Sequence, residues 1–197
     1  MTVLTKRYNE AFKMAARLHA KQFRKGTAIP YLSHLMAVSS LVLEQGGSED
    51  EAIAALLHDA VEDQGGAPVL EEIRRTFGPV VAEIVEGCSD TDVVPKPPWR
   101  ERKETYIAHV ALASPSVRLV SAADKLHNAR AILADYRALG DALWSRFNPG
   151  KDDILWYYTG LVAAFRQAEP GSSPIVEELA RTVDELTALV NSSPRRG

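Results

Sequence analysis

The sequence predicts an all-α fold, a single-domain helical bundle of about 8–10 helices. Apolar side chains recur at helical spacing along most of the chain, and no segment of useful length alternates as a strand would. Glycines and prolines separate the helical segments, but no linker is long enough to divide the chain. One domain is therefore expected over residues 1–192 of the 197, followed by a disordered tail over 193–197.

The N-terminal third of the chain predicts three helices. The first is expected over residues 5–22, where apolar side chains follow a helical period. The second is expected over residues 33–45, with its first serine as the N-terminal cap. The third is expected over residues 48–63, opened by a capping box between Ser48 and Glu51.

The rest of the chain continues the helical pattern. Residues 88–98 contain three prolines and predict a turn-rich loop. The remaining helices are expected over residues 68–77, 78–87, 99–113, 115–134, 138–146, 151–167 and 174–192.

Composition and charge exclude several classes of function. A net charge of −3 and a pI near 6.0 argue against a general binder of nucleic acid or of anionic membranes. A phosphorylated substrate would therefore need a local basic patch or a metal. The one cysteine, Cys88, rules out a disulfide framework and a cysteine-based zinc site. No secretory signal or membrane-spanning run is present, so a cytoplasmic location is expected.

An acidic motif in the third predicted helix is the first indication of a metal-binding site. His58 and Asp59 precede Glu62 and Asp63 by four residues each, so each pair shares a helix face. Three carboxylates this close repel one another, and burying them without a partner would cost several kcal/mol. A bound cation would offset that cost, although an ordinary solvated acidic helix end is the alternative.

Two other segments strengthen the case for a metal site. His34 follows a loop and begins a helix, where a purely structural role is the alternative. Asp124 follows a small, apolar stretch in the middle of a helix, a poor place for a lone carboxylate. Pairing of Asp124 with Lys125 or Arg130 is the alternative here, although adjacent residues on a helix do not face each other.

The order of these motifs resembles the HD superfamily of phosphohydrolases. The similarity is to the hydrolase domain of RelA/SpoT-type enzymes and to the small stand-alone alarmone hydrolases. The matching stretches are FRKGTAIPYLSH, AALLHDAVED, FGPVVAEIVEGCSD and AADKLHNARAI, with weaker similarity through LWSRFNPGKDDILWYY. The resemblance implies the HD-domain fold and a metal-dependent hydrolase that removes the 3′-pyrophosphate of (p)ppGpp and returns GDP or GTP.

The resemblance also implies a role for individual residues. One divalent metal, usually manganese in these enzymes, would be held by His34, His58, Asp59 and Asp124. The same donor set suits iron, cobalt or zinc. The remaining histidines are expected to be structural: His19, His109 and His127. The catalytic acidic pair would be Glu62 and Asp63. Contacts to the nucleotide are expected from Arg24, Lys25, Asn128, Lys151 and Tyr157.

Two departures from the family pattern leave the substrate open. The RKG loop is longer by one residue, and Ala131 replaces a hydroxyl residue in the nucleotide pocket. Hydrolysis of (p)ppApp or removal of the 2′-phosphate of NADPH are therefore alternatives on the same site. A nucleotide sensor or an antitoxin-type partner of a synthetase is the alternative from another class, and a homo-oligomer is possible. The basic segment 96–103 is expected to be either a phosphate clamp or an exposed helix start.

Overall fold

The computed structural model describes residues 1–90, 95–168 and 173–192. Across these residues the chain forms ten α-helices and one 3-10 helix, with one isolated β-bridge between Phe23 and Pro30. The α-helices are α1 (Lys6–Leu18), α2 (Leu32–Glu44), α3 (Glu49–Leu57), α4 (Ala60–Gln64), α5 (Ala67–Phe77), α6 (Pro79–Cys88), α7 (Trp99–Leu112), α8 (Pro115–Leu139), α9 (Lys151–Ala168) and α10 (Pro174–Ser192). The predicted all-α bundle is confirmed, whereas the expected tail over 193–197 lies outside the described residues.

Two of the predicted N-terminal features differ from the structure. Helix α1 ends at Leu18 and not at residue 22, because the chain turns at His19. The backbone amide of Gln22 donates a hydrogen bond to the carbonyl of His19 and closes this turn. Helix α2 starts at Leu32, and Ser33 does not cap it: the Ser33 hydroxyl donates to the carbonyl of Pro30 over 2.8 Å. The expected serine cap was wrong, because the helix begins one residue earlier than the serine.

The third predicted helix is interrupted in the middle of its acidic motif. Its capping box is present, since Ser48 and Glu51 bond reciprocally. The helix then ends at Leu57, and α4 begins at Ala60. Asp59 occupies the N-cap position of α4 with φ −94° and ψ −1°, but its side chain makes no capping hydrogen bond. The break frees the Asp59 carboxylate for contacts elsewhere.

Helix α8 is the central element of the bundle. It contacts α2, α3, α6 and α10, and it extends to Leu139, five residues beyond the predicted end. Gly140, with φ +58°, ends the helix in a conformation that favours glycine. The predicted helix over 138–146 is a 3-10 helix over Gly140–Arg146. A 25-residue helix through the core holds its side chains at fixed spacing over a long distance.

Helix α10 belongs to the interior of the domain. It packs on α8 and α9, and its apolar stripe is buried at Val176, Leu179, Val183 and Leu186. In the described part of the chain, no helix combines the length and apolar character needed to cross a bilayer.

Candidate metal centre and adjoining cavity

Four side chains from three parts of the chain converge at the candidate metal centre. His34 lies in the first turn of α2, His58 and Asp59 form the break between α3 and α4, and Asp124 lies in α8. His58 Nε2 lies 2.9 Å from Asp59 Oδ2, and His34 Nε2 lies 3.2 Å from Asp124 Oδ1. The crossed distances, from His34 Nε2 to Asp59 Oδ2 and from His58 Nε2 to Asp124 Oδ1, are both 3.7 Å. The four residues that the motifs single out therefore share one site.

Hydrogen bonding fixes which nitrogen His58 presents to this site. Its Nδ1 lies 2.8 Å from the carbonyl of Ala55, which can only accept, so Nδ1 carries the proton. Nε2 of the neutral ring then holds a lone pair that faces the Asp59 carboxylate. No hydrogen-bond donor among the described residues reaches the buried Nε2 atoms of His34 and His58. Two lone pairs facing two carboxylates call for a cation, either a proton or a metal.

The spacing of these atoms suits a metal ion. Metal–ligand bonds of about 2.1 Å place two ligand atoms about 3.0 Å apart at right angles and about 3.4 Å apart at a tetrahedral angle. The four nitrogen–oxygen distances of 2.9–3.7 Å bracket these values. Ligand atoms of His34, His58 and Asp59 all lie within 4.8 Å of one another. The cluster could therefore hold a metal.

Charges within the cluster shift its pKa values in opposite directions. Burial alone would raise the pKa of both carboxyls, but His58 holds the pKa of Asp59 well below its usual range. Lys125, followed by the two imidazoles, does the same for Asp124. Burial alone would lower the pKa of His58, but the charge of Asp59 and bonds to both carboxylates raise it well above its ordinary value. Because the raised pKa favours the protonated ring, a proton and a metal would compete for Nε2 of His58.

Both carboxylates are also oriented from outside the cluster. The Tyr31 hydroxyl donates to Asp59 Oδ2 over 2.6 Å. Asp124 accepts from Asn128 Nδ2 at 2.5 Å and from Lys125 Nζ at 2.6 Å. The expectation that adjacent residues do not face each other fails for Lys125, because its long stem lets the ammonium reach back to the neighbouring carboxylate. The predicted alternative for Asp124, pairing with Lys125, coexists with its place in the cluster.

A third histidine, His127, joins the site through His34. His127 Nδ1 lies 2.8 Å from His34 Nδ1, so one ring donates and the other accepts. Burial, followed by the nearby charges of His34 and Arg24, lowers the pKa of His127 to about 4. His127 is therefore neutral, and it can accept the Nδ1 proton of His34 and leave Nε2 of His34 as the lone-pair donor. His127 was expected to be merely structural, and apart from its position three residues after Asp124 no pattern in the sequence predicts this contact.

The predicted catalytic acids lie beside the cluster and are paired with polar side chains. Lys96 Nζ donates to Glu62 Oε1 over 2.8 Å. Gln22 Nε2 donates to Asp63 Oδ2 over 2.8 Å. Burial, followed by the charge of Asp59, raises the pKa of Asp63 above its ordinary value. Lys96 thus brings the start of the basic segment 96–103 to one of the acids, whereas Arg102 at its other end pairs with Asp90.

A cavity of about 530 Å³ adjoins the metal centre. Tyr31, Lys125 and Asn128, which all contact the metal-centre carboxylates, also line this cavity. Among the described residues that line it, five carry positive side chains and one carries a carboxylate: Arg24, Lys25, Lys103, Lys125 and Arg146, with Asp135. Its size and charge suit a phosphorylated small molecule.

Four of the five residues that are predicted to contact the nucleotide line this cavity. Arg24 Nη1 donates to Asn128 Oδ1 over 2.9 Å, and Lys25 Nζ lies 5.9 Å from the centre of the Phe147 ring. Tyr157 is buried at the cavity, and its hydroxyl has no hydrogen-bond partner among the described residues. Lys151, the first residue of α9, is not among the described residues that line the cavity, so its predicted contact gains no support.

Comparisons with known proteins agree with this geometry. The family model described as HD domain matches residues 11–147. Guanosine-3′,5′-bis(diphosphate) 3′-pyrophosphohydrolase MESH1 of Xenopus tropicalis is 40% identical over 124 residues, and that of Homo sapiens is 38% identical. Each alignment covers 61% of this chain and 66% of the relative, so the chain spans just under two thirds of these relatives. The solved structure of a metazoan ortholog of SpoT that hydrolyzes ppGpp matches with a TM-score of 0.73 and 26% identity, covering 95% of this chain and 97% of that one.

Proposed function

Because this chain belongs to the HD domain family, we propose that it is a metal-dependent phosphohydrolase that removes the 3′-pyrophosphate of (p)ppGpp. The products would be pyrophosphate and GDP or GTP. One observation carries the proposal: two imidazole lone pairs and two carboxylates face one another next to a cavity lined by five cations. The relatives that match over this region are named for the same reaction, and the similar solved structure is of a protein that hydrolyzes ppGpp.

The metal would be held by His34, His58, Asp59 and Asp124. This donor set suits several divalent transition metals, and we propose Mn²⁺ because the resemblance to the HD superfamily implies it. When bound, a divalent cation supplies positive charge that makes nearby water more acidic and stabilises phosphoryl oxygens. Tyr31, Asn128 and Lys125 would keep the two carboxylates oriented toward it through the hydrogen bonds they donate.

Glu62 and Asp63 would handle the proton of the attacking water. The raised pKa of Asp63 moves it toward the operating pH, which makes it a better proton acceptor than an ordinary carboxylate. Gln22 holds the Asp63 carboxylate in place. Glu62 is bound to Lys96, and this lysine would orient the Glu62 carboxylate and lie close to the leaving phosphates.

The nucleotide would occupy the cation-lined cavity. The guanidinium of Arg24 and the ammonium of Lys25 line one wall, where a guanidinium plane can stack on a base and an ammonium can meet phosphate. Asn128 contacts both Arg24 and Asp124, so it would link the nucleotide to the metal centre. The Tyr157 hydroxyl, which has no partner in the described part of the chain, would bond the ribose or a phosphate. The contact of Lys151 stays a prediction from the resemblance.

The binding partners, the location and the oligomeric state are also proposed from the sequence. We propose a small-molecule nucleotide as the partner, with neither nucleic acid nor membrane, since the net charge is −3. A cytoplasmic location and a homo-oligomer stay predictions.

The test is a product assay on metal-stripped protein resupplied with Mn²⁺. We expect ppGpp to yield one pyrophosphate and one GDP per turnover, with no turnover before the metal returns. Glu62→Gln should lower turnover at least 100-fold while Mn²⁺ still binds, because a general base typically contributes a factor of 10²–10⁴. Glu83→Gln, an exposed acid on α6, is the matched control. Release of orthophosphate alone, or no release with metal bound, would overturn the proposal.

A further inference from the structure

One face of α8 runs from the metal centre along the wall of the cavity. Asp124, Asn128, Ala131 and Asp135 follow one another at intervals of four, three and four residues, which places them in one stripe of the helix. Asn128, Ala131 and Asp135 all line the cavity. At about 1.5 Å of rise per residue, Asp135 lies roughly 16 Å along the helix axis from Asp124. The stripe thus has a metal-binding end and a distal end.

The distal end differs in charge from the rest of the cavity. Asp135 is the carboxylate among the described lining residues, and Arg146 Nη1 donates to its Oδ2 over 2.9 Å. Its side chain is 44% exposed and that of Arg146 is 24% exposed, so the pair stays accessible to a ligand. A carboxylate repels phosphate, so the phosphates belong near the cations closer to Asp124. The distal end suits a neutral group that donates hydrogen bonds.

We infer that Asp135, oriented by Arg146, selects guanine as the base, an assignment that rests on the proposed hydrolysis of a 3′-pyrophosphorylated nucleotide. Guanine presents two adjacent donors, N1–H and the 2-amino group, which match the two oxygens of one carboxylate. Its O6 is an acceptor that the Arg146 guanidinium can meet. Adenine presents a lone pair at N1 and has no 2-amino group, so it would set a lone pair against the carboxylate.

The neighbouring side chains leave space for a flat ring at this end. Ala131 lies on the stripe between Asn128 and Asp135 and fills little volume. Leu143, Phe147 and Ile154 line the cavity with apolar surface against which a base can pack. The small side chain of Ala131 offers no polar group to the base, so its polar recognition falls to Asp135, one helical turn further along the stripe.

The test compares three nucleotides that differ only in the base: the 3′-pyrophosphorylated diphosphates of guanosine, inosine and adenosine. Pyrophosphate release from each is measured with the Mn²⁺-loaded protein, with Asp135→Asn and with Asp152→Asn. Asp152 is an exposed acid on α9 outside the described cavity lining, so it is the matched control. Binding of each nucleotide is measured in parallel by equilibrium dialysis.

We expect kcat/KM for the guanosine nucleotide to exceed that for the adenosine nucleotide by about 10- to 100-fold. This factor corresponds to the loss of a hydrogen bond in which one partner is charged. Inosine, which lacks the 2-amino group, should fall between them. Asp135→Asn should reduce the guanosine-to-adenosine ratio to within about threefold, and Asp152→Asn should leave it unchanged. Equal use of guanosine and adenosine, or an unchanged ratio in Asp135→Asn, would overturn the inference.

Binding separates this inference from the proposed function. If no nucleotide releases pyrophosphate but guanosine still binds preferentially and Asp135→Asn removes that preference, the inference stands and the hydrolase proposal fails. Binding without a base preference would overturn the inference whether or not turnover occurs.

Discussion

The Nδ1 atoms of His34 and His127 lie 2.8 Å apart, so each ring determines the tautomer of the other. With His127 neutral and accepting, His34 must present Nε2 to the metal centre. The carbonyl of Ala55 fixes His58 in the same way. In their neutral forms both imidazoles therefore direct the Nε2 lone pair at the carboxylates, an arrangement that raises the affinity of a metal because neither ring has to rotate.

Removing the acceptor at residue 127 should weaken the metal site. His127→Leu leaves the His34 Nδ1 proton without a partner, and we expect Mn²⁺ affinity to fall by about 10- to 100-fold. His127→Gln keeps an acceptor oxygen and should stay within about threefold of the original affinity. Titration of Mn²⁺ followed by electron paramagnetic resonance measures both. His109→Gln, at an exposed histidine, is the control. An equal loss of Mn²⁺ affinity in His127→Leu and His127→Gln would show that His127 does not act as a hydrogen-bond acceptor for His34.

Metal binding should release a proton from His58. Its pKa is raised well above the ordinary value in the metal-free site, because the Asp59 and Asp124 carboxylates outweigh the effect of burial. The metal needs the neutral ring, so affinity should rise with pH, up to about tenfold per unit, until the pH passes that raised pKa. Calorimetry at pH 7 in buffers of different ionisation enthalpy should report about one proton released. Binding heats that do not depend on the buffer would refute this.

Losing the Gln22 amide should shift the acidic side of the pH–rate profile. The hydrogen bond from Gln22 favours the ionised form of Asp63 and lowers its pKa, although burial raises it overall. Gln22→Met removes that bond, so the pKa should rise and the acidic limb of kcat/KM should move to higher pH. Gln45→Met, at an exposed glutamine, should leave the limb where it is. A limb that stays in place in Gln22→Met would show that Asp63 is not the titrating base.

Lys125 should act on the substrate more than on the metal. Its ammonium is bound to Asp124 and lines the cavity, where it can meet a phosphate. Lys125→Met removes a positive charge beside the metal and also one of the donors that orient Asp124. Because these two effects oppose each other, Mn²⁺ affinity should change by less than about threefold. KM for ppGpp should rise by about tenfold, the size of one charge-assisted hydrogen bond. Lys21→Met, at an exposed lysine, is the control, and weaker Mn²⁺ binding with unchanged KM would be the contrary result.

Helix α10 should contribute to the stability of the domain. Leu179 is 0% exposed and packs inside the bundle, so Leu179→Ala should lower the free energy of unfolding by about 2–5 kcal/mol. Leu112, at the end of α7, is 89% exposed, and Leu112→Ala should change stability by about 0.5 kcal/mol or less. Urea unfolding followed by circular dichroism gives both values. Similar stability of the two variants would show that α10 is not part of the core.

The sequence predicted the helical order because this depends on local patterns, whereas the shared site of His34, His58, Asp59 and Asp124 was implied by the resemblance to the HD superfamily. Apolar periodicity and capping residues are read within one helix, and the His-Asp motif is contiguous. The contact of His127 with His34 could not be predicted in the same way, because it depends on which face of α8 turns to α2. The pair of Lys125 and Asp124 was predicted only as an alternative, because it depends on how a long side chain folds back. The pairing of Asp135 with Arg146 joins two elements, and no local pattern marks it.

The break between α3 and α4 affects how Asp59 should be studied. Two consecutive residues on an unbroken helix diverge by about 100°, so the interruption at His58 and Asp59 allows both side chains to reach one point. An alanine at residue 59 would remove a carboxylate and also favour fusion of the two helices, since alanine has the highest helix propensity. A loss of activity in Asp59→Ala would then mix a chemical defect with a backbone rearrangement. Asparagine keeps the shape and the low helix propensity of aspartate, and so isolates the charge.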